Sequence, residues 1–294
     1  MFEKRKGNRF FEQFLGRPDI TKAYAMVDPT DSWYDTITTV HHSLAEIQNL
    51  PHRILEITSH DGLTLKAVYY PGAGDQTAIW IHGYTSHAER ESAFPGLFYH
   101  SLGYGVLIPY QRAHGISQGQ YIAFGALEYR DMMLWVEKIN ELHPNGSIVI
   151  HGLSMGGGIA LDLATQEMEN VQCLIVDAPS VSIENFFRYV TMDVYKKNAE
   201  KICQHAIARF SKEFSADVTA FDRLKNIENG KYPLLLSAGS NEEMDEILLE
   251  IQRRNPKQSQ VLFLPGCNHG NGMYKQTEMY QNVIRQFLAE HMTR

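Results

Sequence analysis

The sequence predicts an α/β fold, a mostly parallel central sheet with helices on both faces. Short apolar runs rich in Val, Ile and Leu take turns with longer helical stretches from residue 77 to the C-terminus, the pattern of strands buried on both sides. The alternation is interrupted once: between Pro179 and Gly230 there is no glycine or proline, and the stretch is helical in pattern. A plain crossover needs only about a dozen residues, so this stretch is expected to be a helical insertion that caps one end of the sheet.

In chain order, residues 1–50 read as a helical extension with a turn at Asp28-Pro29-Thr30-Asp31. Within it, Phe10-Phe11-Glu12-Gln13-Phe14-Leu15 reads as a short amphipathic turn that packs on its own domain rather than on a membrane. Ile54–Thr58 and Leu63–Tyr70 alternate around His60-Asp61-Gly62 and predict a β-hairpin. Strands follow at Thr77–Ile81, Gly105–Pro109, Ser147–Ile150, Val171–Val176, Tyr232–Ser237 and Gln260–Leu264. Helices are expected at Ser92–Leu102, Phe124–Leu142 (stopped by His143-Pro144-Asn145-Gly146), Gly157–Met168, Glu243–Arg254 and after Gly272. The insertion divides into Ile183–Tyr195, Asn198–Phe210 and Asp217–Asn226. The expected organisation is an extension over 1–50, a core over 51–179 and 230–294, and a cap over 180–229. Phe186, Phe187, Tyr189, Val190 and Phe210 are candidates to line a pocket beneath that cap, although most of them are expected to pack on one another.

Composition narrows the function classes. The 294 residues are 44% hydrophobic and carry 27 Lys+Arg against 34 Asp+Glu, a net charge of −7. That balance argues against nucleic acid as a partner, because neutralising phosphates needs a basic face. No apolar run reaches the roughly 18 residues of a membrane span, so no stable membrane insertion is expected. The charged start Met1-Phe2-Glu3-Lys4-Arg5-Lys6 has no apolar run behind it that would make a signal peptide. Cys173, Cys203 and Cys267 lack metal or disulfide spacing, which suits a reducing, cytoplasmic setting. The oligomeric state is left open.

The chemistry concentrates at Ile148-Val149-Ile150-His151-Gly152-Leu153-Ser154-Met155-Gly156. Here G-x-S-x-G lies between a strand and a helix, the setting of a nucleophile elbow. So tight a turn requires small residues two before and two after the serine, and it aims the Met155 N–H at the place where an oxyanion forms. A second strand ends in His82-Gly83-Tyr84-Thr85-Ser86, a loop able to supply another N–H. Near the C-terminus, Leu264-Pro265-Gly266-Cys267-Asn268-His269-Gly270 delivers a histidine on a glycine-bounded loop after the last strand. A serine hydroxyl becomes a competent nucleophile when an imidazole takes its proton, and His269 is the candidate base.

Together with Arg112-Ala113-His114-Gly115-Ile116-Ser117, these segments resemble the α/β-hydrolase superfamily over about residues 52–292. The chain is most similar to bacterial serine hydrolases of the esterase, serine aminopeptidase, prolyl-oligopeptidase and monoglyceride lipase branches. The resemblance implies an α/β-hydrolase fold, a triad in the order serine, acid, histidine, and oxyanion donors at Tyr84 and Met155. It places the acid three residues after a glycine at the end of the seventh strand, which is Glu242 after Gly239; a fixed carboxylate of either length can orient the imidazole. The sequence departs from the family in lacking a Val-Pro after that acid, and in having Tyr110 where relatives often carry an Asp. Asp177, after its strand, is the alternative acid. Glu243 and Asp245 are expected in the first turn of the next helix, where negative charge suits the dipole.

His82, His87 and His114 make no metal pattern, Cys267 reads as packing, and Gly156-Gly157-Gly158 lacks the Gly-Lys-Ser/Thr ending of a phosphate loop; no cofactor and no metal are expected. The function this predicts is a serine hydrolase that cleaves carboxylic esters through an acyl-enzyme. Its expected partner is a small-molecule ester or short peptide. Haloalkanes and epoxides are disfavoured, since their hydrolysis in this fold uses an Asp where Ser154 stands. The alternatives are an amide-cleaving, aminopeptidase-like enzyme, or a non-catalytic protein of this fold that binds a ligand.

Overall fold

The computed structural model describes residues 2–292 of the chain. Eight strands form one sheet: β1 (Arg53–Thr58), β2 (Thr64–Tyr70), β3 (Thr77–Ile81), β4 (Gly105–Tyr110), β5 (Ile148–Leu153), β6 (Val171–Asp177), β7 (Leu234–Gly239) and β8 (Ser259–Leu264). Their order is β1-β2-β4-β3-β5-β6-β7-β8. β2 runs antiparallel to its neighbours β1 and β4, and every pairing from β4 to β8 is parallel. Every residue of β3, β4, β5 and β7 is buried, which is why these strands read as continuous apolar runs. The fold is the expected α/β-hydrolase architecture.

The helices are α1 (Phe2–Leu15), α2 (Tyr34–Ile47), α3 (Ala88–Ser101), α4 (Glu128–Leu142), α5 (Met155–Leu163), α6 (Ile183–Tyr195), α7 (Ala199–Phe214), α8 (Arg223–Asn226), α9 (Asp245–Arg254), α10 (Gly272–Lys275) and α11 (Thr277–His291). Among the described residues, no helix is long and apolar enough to cross a membrane. Several boundaries differ from expectation for reasons of turn chemistry. α4 starts at Glu128 rather than near Phe124, because Phe124 and Gly125 take positive φ (50° and 107°). The buried Glu128 carboxylate closes that turn by accepting the Ala123 and Gly125 N–H groups at 2.7 and 2.8 Å. α5 begins two residues early, directly after Ser154, and ends at Leu163 rather than Met168. Glu243, at φ 55°, stands before α9 instead of inside it. The last insertion helix shortens to α8, capped by Asp222, whose side chain accepts the Lys225 N–H.

The extension packs on its own domain, as expected of its aromatic turn. Phe10, Phe11 and Leu15 are fully buried, with Phe10 edge-on to Phe187 at 5.7 Å and Phe11 6.0 Å from Phe214. The insertion is pinned to the core by a buried ion pair. Arg223 donates to Asp162 on α5 at 2.7 and 2.9 Å, to Ser180 O at 2.8 Å and to Phe124 O at 3.2 Å.

Candidate active site

The elbow is a consequence of sterics at two glycines. A Cβ on Gly152 would lie 2.1 Å from Gly156 O, and one on Gly156 would lie 2.0 Å from Ile81 O; no side chain fits either gap. Between them Ser154 is held at φ 59°, ψ −113°, a conformation an L-residue adopts only when its surroundings impose it. The Ser154 N–H donates to Asp177 O at 2.9 Å, and the Ser154 carbonyl accepts from Ser180 at 3.1 Å. The glycine run at 156–158 is equally crowded, by the ends of β3 and β6 and by Arg223, so its composition answers to packing.

Ser154, His269 and Glu242 come together in a line. The Ser154 Oγ–H donates to His269 Nε2 at 2.9 Å, and His269 Nδ1–H donates to Glu242 Oε2 at 2.5 Å. With Nδ1 bound to a carboxylate, Nε2 is left as the acceptor. Glu242 is itself fixed: its Oε1 accepts the Gly239 N–H at 2.7 Å, and its own N–H donates to Gly239 O at 3.1 Å. Its side chain is 7% exposed, against 55% for the imidazole. The acid and histidine loops press together at Gly239, where a Cβ would meet Cys267 O at 2.3 Å, and Asn241 Nδ2 donates to Asn268 Oδ1 at 2.9 Å. The hydrogen bond to Glu242 raises the His269 pKa above its ordinary 6.5, against the opposing effect of burial.

Asp177, the alternative acid, faces elsewhere. It is buried, and its Oδ2 accepts from Tyr280 Oη at 3.2 Å. Burial first, and the Glu242 charge second, push its pKa up to about 7. Tyr280 continues to His151 Nε2 at 3.2 Å, and His151 Nδ1 to Tyr99 Oη at 2.9 Å; burial lowers His151 to about 3, so this chain is neutral. Asp245 opens α9 and Glu243 precedes it, both exposed.

Met155 is the first residue of α5, so its N–H has no acceptor within the helix, and the Tyr84 N–H finds no partner among the described residues. The Tyr84 side chain is wedged between Phe124 and Phe186, with both centroids 5.6 Å away. Its hydroxyl donates to Phe14 O. Sequence reasoning missed the residue that holds this loop. Glu91, 3% exposed, accepts the Gly83 N–H with both oxygens (3.0 and 3.1 Å), Trp80 Nε1–H at 3.1 Å and Tyr24 Oη–H at 3.4 Å. It lies just before the helix expected from Ser92, inside α3 as it forms from Ala88, and nothing local marks it as buried.

His82 and His114 stack edge to face at 4.7 Å inside the core, and burial holds both below the usual imidazole range. Tyr110, the departure from the family pattern, donates its hydroxyl to Glu89, while Arg112 pairs with Asp131 and Asp61. All three cysteines are buried and free.

Ser154 and His269 open into a cavity of about 590 Å³. Gly83, Tyr84, Leu153 and Gly270 form its floor, but none of the insertion aromatics lines it. Phe187 and Phe210 are fully buried in the core, Phe186 stacks on Phe124 at 4.1 Å, and Tyr189 is 77% exposed. The remaining wall comes from Thr85, Ser86 and Glu91 and from Ala23, Tyr24, Trp33 and Ile37 of the N-terminal extension.

The profile of the Hydrolase_4 family, serine aminopeptidase S33, matches residues 73–228, more than half of the chain. Protein bem46 of Schizosaccharomyces pombe is 23% identical over 253 residues, covering 83% of this chain and 78% of that protein. Among solved structures, an esterase from Pyrococcus furiosus superposes with a TM-score of 0.67 at 24% identity, over 95% of this chain and 99% of that one. A thermophilic esterase from Thermogutta terrifontis superposes with a TM-score of 0.60 at 20% identity, over 82% and 100%. The chain therefore belongs to the serine aminopeptidase S33 family of α/β hydrolases.

Proposed function

We propose that this hydrolase cleaves carboxylic esters of small molecules by an acyl-enzyme mechanism, with Ser154 as nucleophile, His269 as general base and Glu242 as the acid. The observation that carries the reading is the unbroken line from Ser154 Oγ through both ring nitrogens of His269 to Glu242. As Ser154 Oγ attacks the ester carbonyl, its proton passes to Nε2, and the carboxylate of Glu242 stabilises the imidazolium that forms. The Tyr84 and Met155 N–H groups receive the oxyanion. His269 then protonates the departing alcohol, and the same nitrogen deprotonates the water that releases the acid.

The family's peptidase description supports a second reading, cleavage of aminoacyl amides. A free carboxylate is the strongest partner for the substrate ammonium of an aminopeptidase. Glu91, the carboxylate lining the cavity, is already committed to Gly83, Trp80 and Tyr24, which favours the ester. A fluorophosphonate probe and a paired panel of p-nitrophenyl esters and aminoacyl p-nitroanilides test both. The folded protein should label, Ser154→Ala should neither label nor turn over, its melting temperature should change little, and kcat/KM should be higher on esters. Absence of labelling in folded wild-type protein overturns the hydrolase reading of Ser154, and faster anilide cleavage overturns the ester.

A further inference from the structure

The N-terminal extension reaches the site by contacts far apart in sequence. Arg17 N–H donates to Gln120 O at 2.7 Å, and its guanidinium donates to Ser117 O at 2.9 Å and Gly119 O at 3.0 Å. Further on, Arg90 donates to Thr21 O at 3.0 Å and Ala23 O at 2.6 Å, and the Tyr24 carbonyl, at a residue with φ 56°, accepts from His41 Nε2 at 2.9 Å. These ties hold the backbone of 16–24 on the core and bring Ala23 and Tyr24 to the cavity wall. The chain then loops through solvent at Ala25, Met26 and Asp28–Ser32 before Trp33 and Ile37 return to the cavity wall.

We infer that this strap, residues 16–37, sets which acyl groups the site accepts, with Trp33 and Ile37 limiting their length and an uncharged aliphatic or aromatic acyl group as the preferred class. The inference rests on the acyl-transfer reading of Ser154 and adds the identity of the wall opposite it. Two features carry it. The strap supplies Tyr24, Trp33 and Ile37 to the cavity that holds Ser154 and His269, facing Tyr84 and Leu153 of the core, while Phe187 and Phe210 of the insertion are buried in the core. The second is charge: among the described residues no lysine or arginine lines the cavity, and the buried carboxyl group of Glu91 does. An acyl group with its own carboxylate would lose its hydration there and gain no counter-ion. Tyr24, bonded to the carboxylate that also holds Gly83, ties the strap to the oxyanion loop, so the wall is set at a fixed distance from the reacting carbonyl.

The test compares kcat/KM on p-nitrophenyl octanoate with that on the acetate. Trp33→Ala should raise this ratio at least about tenfold, the lower end of what one methylene is worth in an apolar pocket. Ala23→Phe, which adds a ring to the same wall, should lower it by a similar factor, and it decides the matter if Trp33→Ala does not fold. A glutaryl monoester should be cleaved at least about tenfold less efficiently than the neutral pentanoyl ester. Fluorophosphonate labelling is read alongside: loss of labelling in wild type defeats the acyl-transfer reading itself. Unchanged ratios in variants that label and fold defeat the strap, and parity between glutaryl and pentanoyl esters defeats its preference for uncharged groups.

Discussion

Replacing Glu242 by Gln tests the acid in a way the surrounding hydrogen bonds make quantitative. Glu242 uses one oxygen for the Gly239 N–H at 2.7 Å and the other for His269 Nδ1–H at 2.5 Å. Glutamine has a single carbonyl oxygen, and if that stays with Gly239 its NH₂ faces Nδ1. The imidazole must then carry its proton on Nε2 and donate to Ser154, the tautomer that cannot accept the serine proton. Loss of the charge adds to this. One unit charge about 4 Å from the imidazolium, at an effective dielectric near 20, is worth about 4 kcal/mol, or roughly 10³ in rate. A comparable replacement in a serine protease reduces turnover about 10⁴-fold. The expected fall in kcat is therefore about 10³–10⁴, with KM and melting temperature little changed.

The pH profile supplies an independent readout. The proposed mechanism needs neutral His269, whose pKa the Glu242 hydrogen bond raises. The wild-type acidic limb should lie above 6.5, and that of Glu242→Gln should move down. Steady-state kinetics from pH 5 to 9 on p-nitrophenyl acetate measure both. Turnover within tenfold of wild type, on an unshifted limb, refutes the assignment.

Two further substitutions probe the surrounding framework. Asp177, held protonated to about pH 7 by burial, retains a proton that the unfolded chain releases near 4, so its contribution is full below pH 4 and is lost as pH rises through 7. Asp177→Asn should remove up to about 4 kcal/mol of that pH dependence while keeping turnover within about tenfold; urea unfolding curves that stay parallel between pH 4.5 and 8 would contradict this. Asp162→Ala leaves the Arg223 guanidinium buried without its partner and should cost about 3–5 kcal/mol by denaturant titration, most of it recovered by adding Arg223→Leu.

What the sequence made legible is what local sterics or a short offset determines. Gly152 and Gly156 are required by contacts within a single turn, so the motif and its geometry agree. Glu242 comes from the family resemblance, which sets the acid three residues after Gly239, and the turn that fixes its carboxylate closes over those residues. Helix starts were less legible, since α4 begins where the Glu128 side chain completes a turn that periodicity does not register. The strap was invisible: Tyr24 meets Glu91, and Arg17 meets the loop at 115–119, and no pattern within either segment announces the other. The same gap explains why the insertion aromatics were expected near Ser154. An apolar helical face shows that something is covered, and here that something is α1 and the core.

The two carboxylates beside His269 show how burial assigns unlike duties to like groups. Asp177 ends a central strand, where its backbone carbonyl braces Ser154 and its side chain is cut off from water. There burial disfavours the charged form and raises its pKa to about 7, and it bonds to Tyr280 and through it to the buried His151–Tyr99 pair. Glu242 sits on a loop beyond the strand end, with one oxygen on a backbone N–H and the other turned to the imidazole. The raised pKa of the first lessens the negative charge close to Glu242, and the second faces the ring that the proposed mechanism makes cationic. Divergent environments for neighbouring acids are how a site gives like groups different duties. In this chain the separation follows from where β6 and β7 end.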